Sequence, residues 1–338
     1  MSAVKKLTTI QEKNKSLICL GLDLDTKRMP SDATANSRAM FDYVKEIVAA
    51  TSDLVCAYKP NLAFFEDLGS DGLSLLRLIV ERIPDDIPVI LDGKRGDISN
   101  TANHYASALF DKLGADWVTI NPYMGYDSMR PFIERKDKGS FVLCLTSNAG
   151  SRDFQQLNVE GKPLYMVVAE KVAYWNKDQN CGLVVGATHP QQLAEIRKAA
   201  GSMPLLIPGV GAQGGALEQA VIDGSANFTT PAVINVCRSV LYASNGKDFA
   251  ERARAELLKL NETVNACRKG VADEESESDQ QESSSESPSR PEQNRPNAQD
   301  GSNQSQQSGE QQNQHQHHQH QNRHHQQDNR NPEQQNRN

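Results

Sequence analysis

From Asp273 to the end of the 338-residue chain there is no Val, Ile, Leu, Met, Phe, Trp, Tyr or Cys. A segment this poor in apolar side chains cannot bury enough surface to offset its ordering entropy, which predicts disorder. Basic surplus is missing too. Residues 273–338 hold 12 acidic and 5 basic side chains and so carry the whole net charge of −7, leaving 31 of each sign before them. A neutral folded part gives no reason to expect nucleic-acid binding. No apolar run approaches the roughly 20 residues that span a bilayer. The opening Met-Ser-Ala-Val-Lys-Lys-Leu-Thr-Thr has no signal-peptide core, so a cytoplasmic chain without a membrane partner is expected. The six cysteines, at 19, 56, 144, 181, 237 and 267, form no CxxC pair and no metal-ligand spacing. Several sit inside apolar runs, so they are read as buried, reduced thiols.

What is present before the tail is a repeating pattern. Short apolar runs at 17–22, 54–58, 87–91, 117–120, 141–145, 183–185, 205–207 and 233–236 alternate with stretches of helical period. Continuous apolar strands separated by helices indicate a parallel sheet covered on its faces. Eight such units in about 270 residues predict an α/β chain whose sheet closes as a (β/α)8 TIM barrel. The expected organisation is a catalytic barrel over residues 1–270 and a disordered Ser/Gln/Asn/His-rich acidic tail over 271–338. Deleting 273–338 is therefore expected to leave melting temperature and kcat/KM unchanged, checked by calorimetry and steady-state kinetics. A doubly wound open sheet fits less well, since no GxGxxG follows the first strand.

In a barrel, function belongs at the carboxyl ends of the strands. Those ends carry Asp23, Lys59, Asn61, Asp92, Lys94, Asn121, Thr146, Ser147 and Arg238. The richest stretch is Asp92-Gly-Lys-Arg-Gly-Asp97. Strand alternation should point Asp92 and Lys94 to one side, with Asp97 just beyond. Lys59, Asp92, Lys94 and Asp97 sum to zero charge, and each lysine gains a carboxylate neighbour. Alone, the cluster would serve equally as a structural ion pair. Its chemistry suggests more: a substrate carboxylate held against one of these carboxylates would be repelled and relieved by leaving as CO2. A lysine ammonium beside it could then stabilise the carbanion and supply the replacing proton. The glycines Gly209, Gly211, Gly214 and Gly215 lie in a loop leading to a helix near Ala216, a setting that favours an anion. Arg238, after the eighth strand, completes the usual barrel phosphate site.

Residues 91–101, Leu-Asp-Gly-Lys-Arg-Gly-Asp-Ile-Ser-Asn-Thr, resemble the DxKxxDIxxT signature of the orotidine 5′-monophosphate decarboxylase family. Gly-Leu-Asp at 21–23, Tyr-Lys-Pro-Asn at 58–61 and Pro-Gly-Val-Gly at 208–211 are similar to it as well. Asn-Pro-Tyr-Met-Gly at 121–125 and Leu-Thr-Ser-Asn-Ala-Gly at 145–150 resemble its longer bacterial-type branch. The resemblance covers roughly residues 10–265. It implies conversion of orotidine 5′-monophosphate to uridine 5′-monophosphate and CO2 without cofactor or metal, in a homodimer. Asp23, Asn61 and Lys59 would meet the ribose, Asp92 the substrate carboxylate, and Lys94 would protonate C6. Thr146 and Ser147 would bind the pyrimidine edge, and Gln213 and Arg238 the phosphate. Asp97 and Thr101 would serve the neighbouring subunit's site. The alternative is a metal-dependent sugar-phosphate decarboxylase or aldolase of a related barrel family, because these share DxKxxD.

Overall fold

The computed structural model describes residues 1–211 and 216–285. Eight parallel strands are β1 (Ile18–Leu22), β2 (Ala57–Pro60), β3 (Ile90–Arg95), β4 (Trp117–Ile120), β5 (Gly139–Leu145), β6 (Cys181–Val185), β7 (Leu205–Pro208) and β8 (Ala232–Val236). Hydrogen bonding orders them β2-β1-β8-β7-β6-β5-β4-β3. Parallel bridges Tyr58↔Val89 and Asn61↔Asp92 join the two ends, so the sheet closes into the expected (β/α)8 barrel. Every residue of β1, β2, β4 and β6 is buried, as the continuous apolar runs require of strands covered on both faces.

The helix Ala3–Asn14 lies across the amino ends of the strands. Its Gln11 Nε2 donates to Ala232 O at the start of β8, 2.6 Å, and Lys6 pairs with Asp116 just before β4, 2.8 Å. Leu7 and Ile10 bury its apolar face. That end is closed, which leaves the carboxyl ends for a site.

Two strands sit further along the chain than the apolar runs indicate. β2 and β3 begin three residues after the expected 54 and 87, so Lys59 and the Asp92–Lys94 motif lie inside the ladder. The pairing of Gly21 with Lys59 and Leu22 with Pro60 holds the polar end of β2 in register. The last helix spans Phe249–Ser285, and burial of Ala253, Leu257 and Val264 anchors it. The rest of the expected tail lies outside the described residues. No described helix is long and apolar enough to cross a membrane.

All six cysteines are free thiols. Burial pushes the thiols of Cys56, Cys144 and Cys181 up to about 12, so almost no thiolate exists at neutral pH. A disulfide reagent at pH 8 is expected to leave these three unmodified in the native protein and to modify all six in guanidinium. Peptide mapping of the labelled chain checks this, and rapid native labelling of Cys56 would contradict the burial.

Candidate active site

At the carboxyl end of the barrel the two lysines converge on one carboxylate. Lys59 Nζ on β2 donates to Asp92 Oδ2, 2.9 Å, and Lys94 Nζ donates to Asp92 Oδ1, 2.7 Å. Thr119 on β4 adds a third donor, its hydroxyl to Asp92 Oδ1 at 2.8 Å. Lys59 and Asp92 are only 4% and 8% exposed, whereas Lys94 reaches solvent. Burial alone would raise the Asp92 carboxyl, but Lys59 and Lys94 outweigh it and hold the group far below the usual carboxylate range. Burial would likewise lower Lys59, and the charges of Asp92 and Asp23 more than reverse it, holding the ammonium above its ordinary value. The Lys59–Asp92 pair is thus charged throughout the neutral range, with Lys94 at its open edge.

Simple strand alternation is not what brings Asp92 and Lys94 together. β3 pairs Leu91 with Val118 and Arg95 with Ile120, so Asp92, Gly93 and Lys94 all stand opposite the single residue Thr119. Within this bulge Lys94 takes φ +47°, a left-handed conformation that costs a non-glycine residue about 1–3 kcal/mol. Lys94 N donates to Thr119 Oγ1, 2.9 Å, and Arg95 Nη1 to Gly93 O, 3.0 Å. A Cβ on Gly93 would come 2.4 Å from Leu62 Cδ1, so a larger residue there requires the Leu62 side chain to shift. Thr119 was not singled out from sequence. The available signal was one hydroxyl inside the otherwise apolar run Trp117-Val-Thr-Ile, where an unpaired polar group would be costly.

Around this array the expected residues divide. Asp23 follows β1, and its Oδ1 is buried without a hydrogen-bond partner. The Tyr242 hydroxyl, another residue sequence did not indicate, donates to Asp23 O and accepts the Asp25 N–H at 2.9 Å. Asn61 caps the helix Leu62–Glu66, its Oδ1 accepting the Ala63 N–H at 3.1 Å, while its backbone bridges to Asp92. Thr146 is engaged by its own loop: its hydroxyl donates to Asn148 Oδ1, 2.6 Å, and accepts from Gln155 Nε2, 2.9 Å. Ser147 packs against the backbone after β6, where any Cβ at Gly186 would lie 2.9 Å from its own. Asp25 and Asn121 act in turns, accepting the N–H groups of Lys27 and Tyr123.

Asp97 and Thr101 do not join the array within one chain. Asp97 Oδ1 accepts the Ile98 N–H, 2.8 Å, and Thr101 is exposed on the helix Ser99–Ser107. Gly209 and Gly211 have φ of +99° and +71°, so the loop after β7 does need glycine. Gln213, Gly214 and Gly215 lie outside the described residues. The helix Leu217–Ser225 begins after them, and Arg238 is exposed just after β8. A cavity of about 860 Å³ lined by Leu143, Tyr165, Val168 and Trp175 contains neither lysine of the array. The charged cluster, not this apolar cavity, has the chemistry of an active site.

Comparison with known proteins gives a family for the chain. The profile of the Orotidine 5'-phosphate decarboxylase / HUMPS family matches residues 16–253. The chain is 50% identical over 253 residues to the orotidine 5'-phosphate decarboxylase of Herpetosiphon aurantiacus, covering 74% of this chain and 93% of that one. It is 48% identical over 274 residues to the enzyme of that name from Cupriavidus metallidurans, covering 80% and 100%. Among solved structures, the Leishmania donovani OMP decarboxylase superposes with a TM-score of 0.68 at 37% identity, covering 78% of this chain and 99% of that chain. The Leishmania donovani UMP synthase gives 0.72 at 40% identity, with 79% of this chain aligned to 57% of that one.

Proposed function

We propose, for a chain that belongs to the orotidine 5′-phosphate decarboxylase / HUMPS family, that it decarboxylates orotidine 5′-monophosphate to uridine 5′-monophosphate by direct protonation from Lys94. The observation that carries this reading is the Lys59–Asp92–Lys94 array at the barrel's open end, buried at Lys59 and Asp92 and open at Lys94. An anionic carboxylate seated beside Asp92 is repelled in the ground state, and the repulsion ends as the C6–carboxyl bond breaks and CO2 departs. The electron pair left on C6 meets the Lys94 ammonium, which stabilises it and transfers its proton. Solvent reprotonates Lys94 through its exposed edge. Asp23, Asn61 and Lys59 would hold the ribose, Ser147 the pyrimidine edge, and Gln213 with Arg238 the phosphate.

The sugar-phosphate alternative would recruit Asp92 to a divalent cation. Both Asp92 oxygens already accept from ammonium or hydroxyl donors, and Lys59 would repel such an ion. The test is release of labelled CO2 from carboxyl-labelled orotidylate by chelator-treated protein; a requirement for added Mg²⁺ would overturn the proposal.

Arg238→Ala is expected to weaken orotidylate binding, because a charge-assisted contact to a remote phosphate is lost. Turnover of orotidine lacking the phosphate should be insensitive to the change. Equal losses for both substrates would remove Arg238 from the phosphate site.

A homodimer completes the proposal, with Asp97 and Thr101 of each subunit serving the other's site. Ile98 beside Asp97, Tyr105 on the helix that follows, and Tyr123, Met124 and Tyr126 in the turn and helix after β4 are 37–82% exposed, an apolar surface suited to a second copy. Mixing inactive Lys94→Ala and Asp97→Ala proteins then regenerates intact sites. Random exchange should restore about a quarter of parental activity, since half the dimers are mixed and each has one good site. If Asp97 served its own subunit, the mixture would stay inactive.

A further inference from the structure

We propose that Thr119 is a positioning residue for the proton-donating Lys94, acting as the pivot on which the β3 bulge aims its side chain; this rests on the decarboxylase reading above. Three observations converge on its hydroxyl. It faces three residues of β3 where a regular parallel ladder would present one. It accepts the N–H of Lys94, 2.9 Å, which replaces the ladder bond that the bulge removes. It donates to Asp92 Oδ1, 2.8 Å, the same oxygen that receives Lys94 Nζ. One oxygen therefore fixes Lys94 at its backbone and, through Asp92, at its ammonium.

The arrangement needs such a pivot. Lys94 sits at φ +47°, a conformation that a lysine leaves unless its surroundings over-determine it. Gly93 and Arg95 brace the bulge on the side of β2, where Arg95 Nη1 donates to Gly93 O and an ion pair joins Arg95 to Glu66. Thr119, only 1% exposed, braces it on the side of β4. Its hydroxyl is both donor and acceptor, and valine, its isostere, is neither. Removing the hydroxyl leaves the Lys94 N–H without an acceptor and one Asp92 oxygen with one donor fewer. The backbone at Lys94 then relaxes, and its ammonium moves relative to the reacting carbon.

Thr119→Val should therefore lower kcat by about 10- to 100-fold, the scale on which an ångström of misplacement acts. KM and affinity for the product nucleotide should stay within about threefold, since Thr119 touches the acid and not the nucleotide. Thr119→Ser keeps the hydroxyl and should restore kcat to within about threefold of the parent. Hydrogen exchange at the Lys94 amide supplies a readout independent of substrate, and should quicken in T119V but not in T119S. Should T119V fail to fold, T119C, with a weak sulfur donor and acceptor, must fall between the parent and loss of activity. A T119V or T119C enzyme with parental kcat overturns the proposal, as does serine that fails to rescue. If the parent itself releases no CO2 from orotidylate, the decarboxylase reading fails. Thr119 is then judged by amide exchange alone: faster exchange in T119V supports the pivot, unchanged exchange refutes it.

Discussion

Replacing Lys94 by alanine is expected to abolish nearly all turnover while nucleotide affinity is largely retained. Lys94 is the one ammonium of the array that combines a grip on Asp92 with exposure at the open edge. In the proposed mechanism its work falls late, when charge develops on C6, so its removal should raise the barrier without loosening ground-state contacts to ribose or phosphate. The measurement is single-turnover decarboxylation alongside direct titration with the product nucleotide. Retention of turnover within about tenfold, a barrier change of only ~1.4 kcal/mol, would remove Lys94 from the proton-transfer step. A parallel collapse of nucleotide affinity would instead make it a binding residue.

The second large effect is expected at Asp92, in stability as well as activity. Asp92→Ala leaves the Lys59 ammonium buried at 4% exposure with its main counter-charge gone. Breaking a buried pair from one side costs about 3–5 kcal/mol, because the surviving charge is desolvated and uncompensated. Apolar replacement of both partners should behave differently. Lys59→Met with Asp92→Leu restores a neutral, filled interior, so much of the lost stability should return while decarboxylation stays absent. Denaturant titration of the three proteins checks this. A D92A protein as stable as the parent would mean that Lys59 finds another partner, with Asp23, whose charge also acts on it, the candidate. The pH dependence follows the same charges. Asp92 is held below its ordinary value, so its contribution is present above that value and is lost as pH falls through the lowered one. Lys59 is held above its ordinary value, so its share is lost only as pH rises past it. Their joint contribution is therefore complete between about pH 5 and 10, and loss of stability inside that window must come from other groups.

The barrel was legible because its signal is local and repeated. Eight apolar runs separated by helical period leave few arrangements in which every strand is buried on both faces. Lys59, Asp92 and Lys94 were legible for a related reason, as charged groups at strand ends have to be paired or used. The neutral charge of the folded part and the polar composition after Asp273 are likewise properties of the sequence alone. Strand ends were read less well, because Lys59-Pro60 and Asp92–Arg95 are polar, and only pairing with neighbouring strands keeps them in the ladder.

Other features belong to the tertiary structure. Thr119 lies 25 residues from Lys94 in the chain, and Tyr242 lies 219 residues from Asp23, so no local pattern connects either pair. The bulge that sets three residues of β3 against one of β4 exists only once the two strands are adjacent, and it replaces the alternation that sequence spacing implies. Asn61 and Thr146 carry the residue types of ligands, and the fold also gives their side-chain oxygens a helix cap and a loop latch. Residue type and spacing thus determined which chemistry this protein could hold and at which end of the barrel. How the charged groups are aimed was decided by packing, because hydrogen bonds between distant segments select among the conformations that the sequence leaves open.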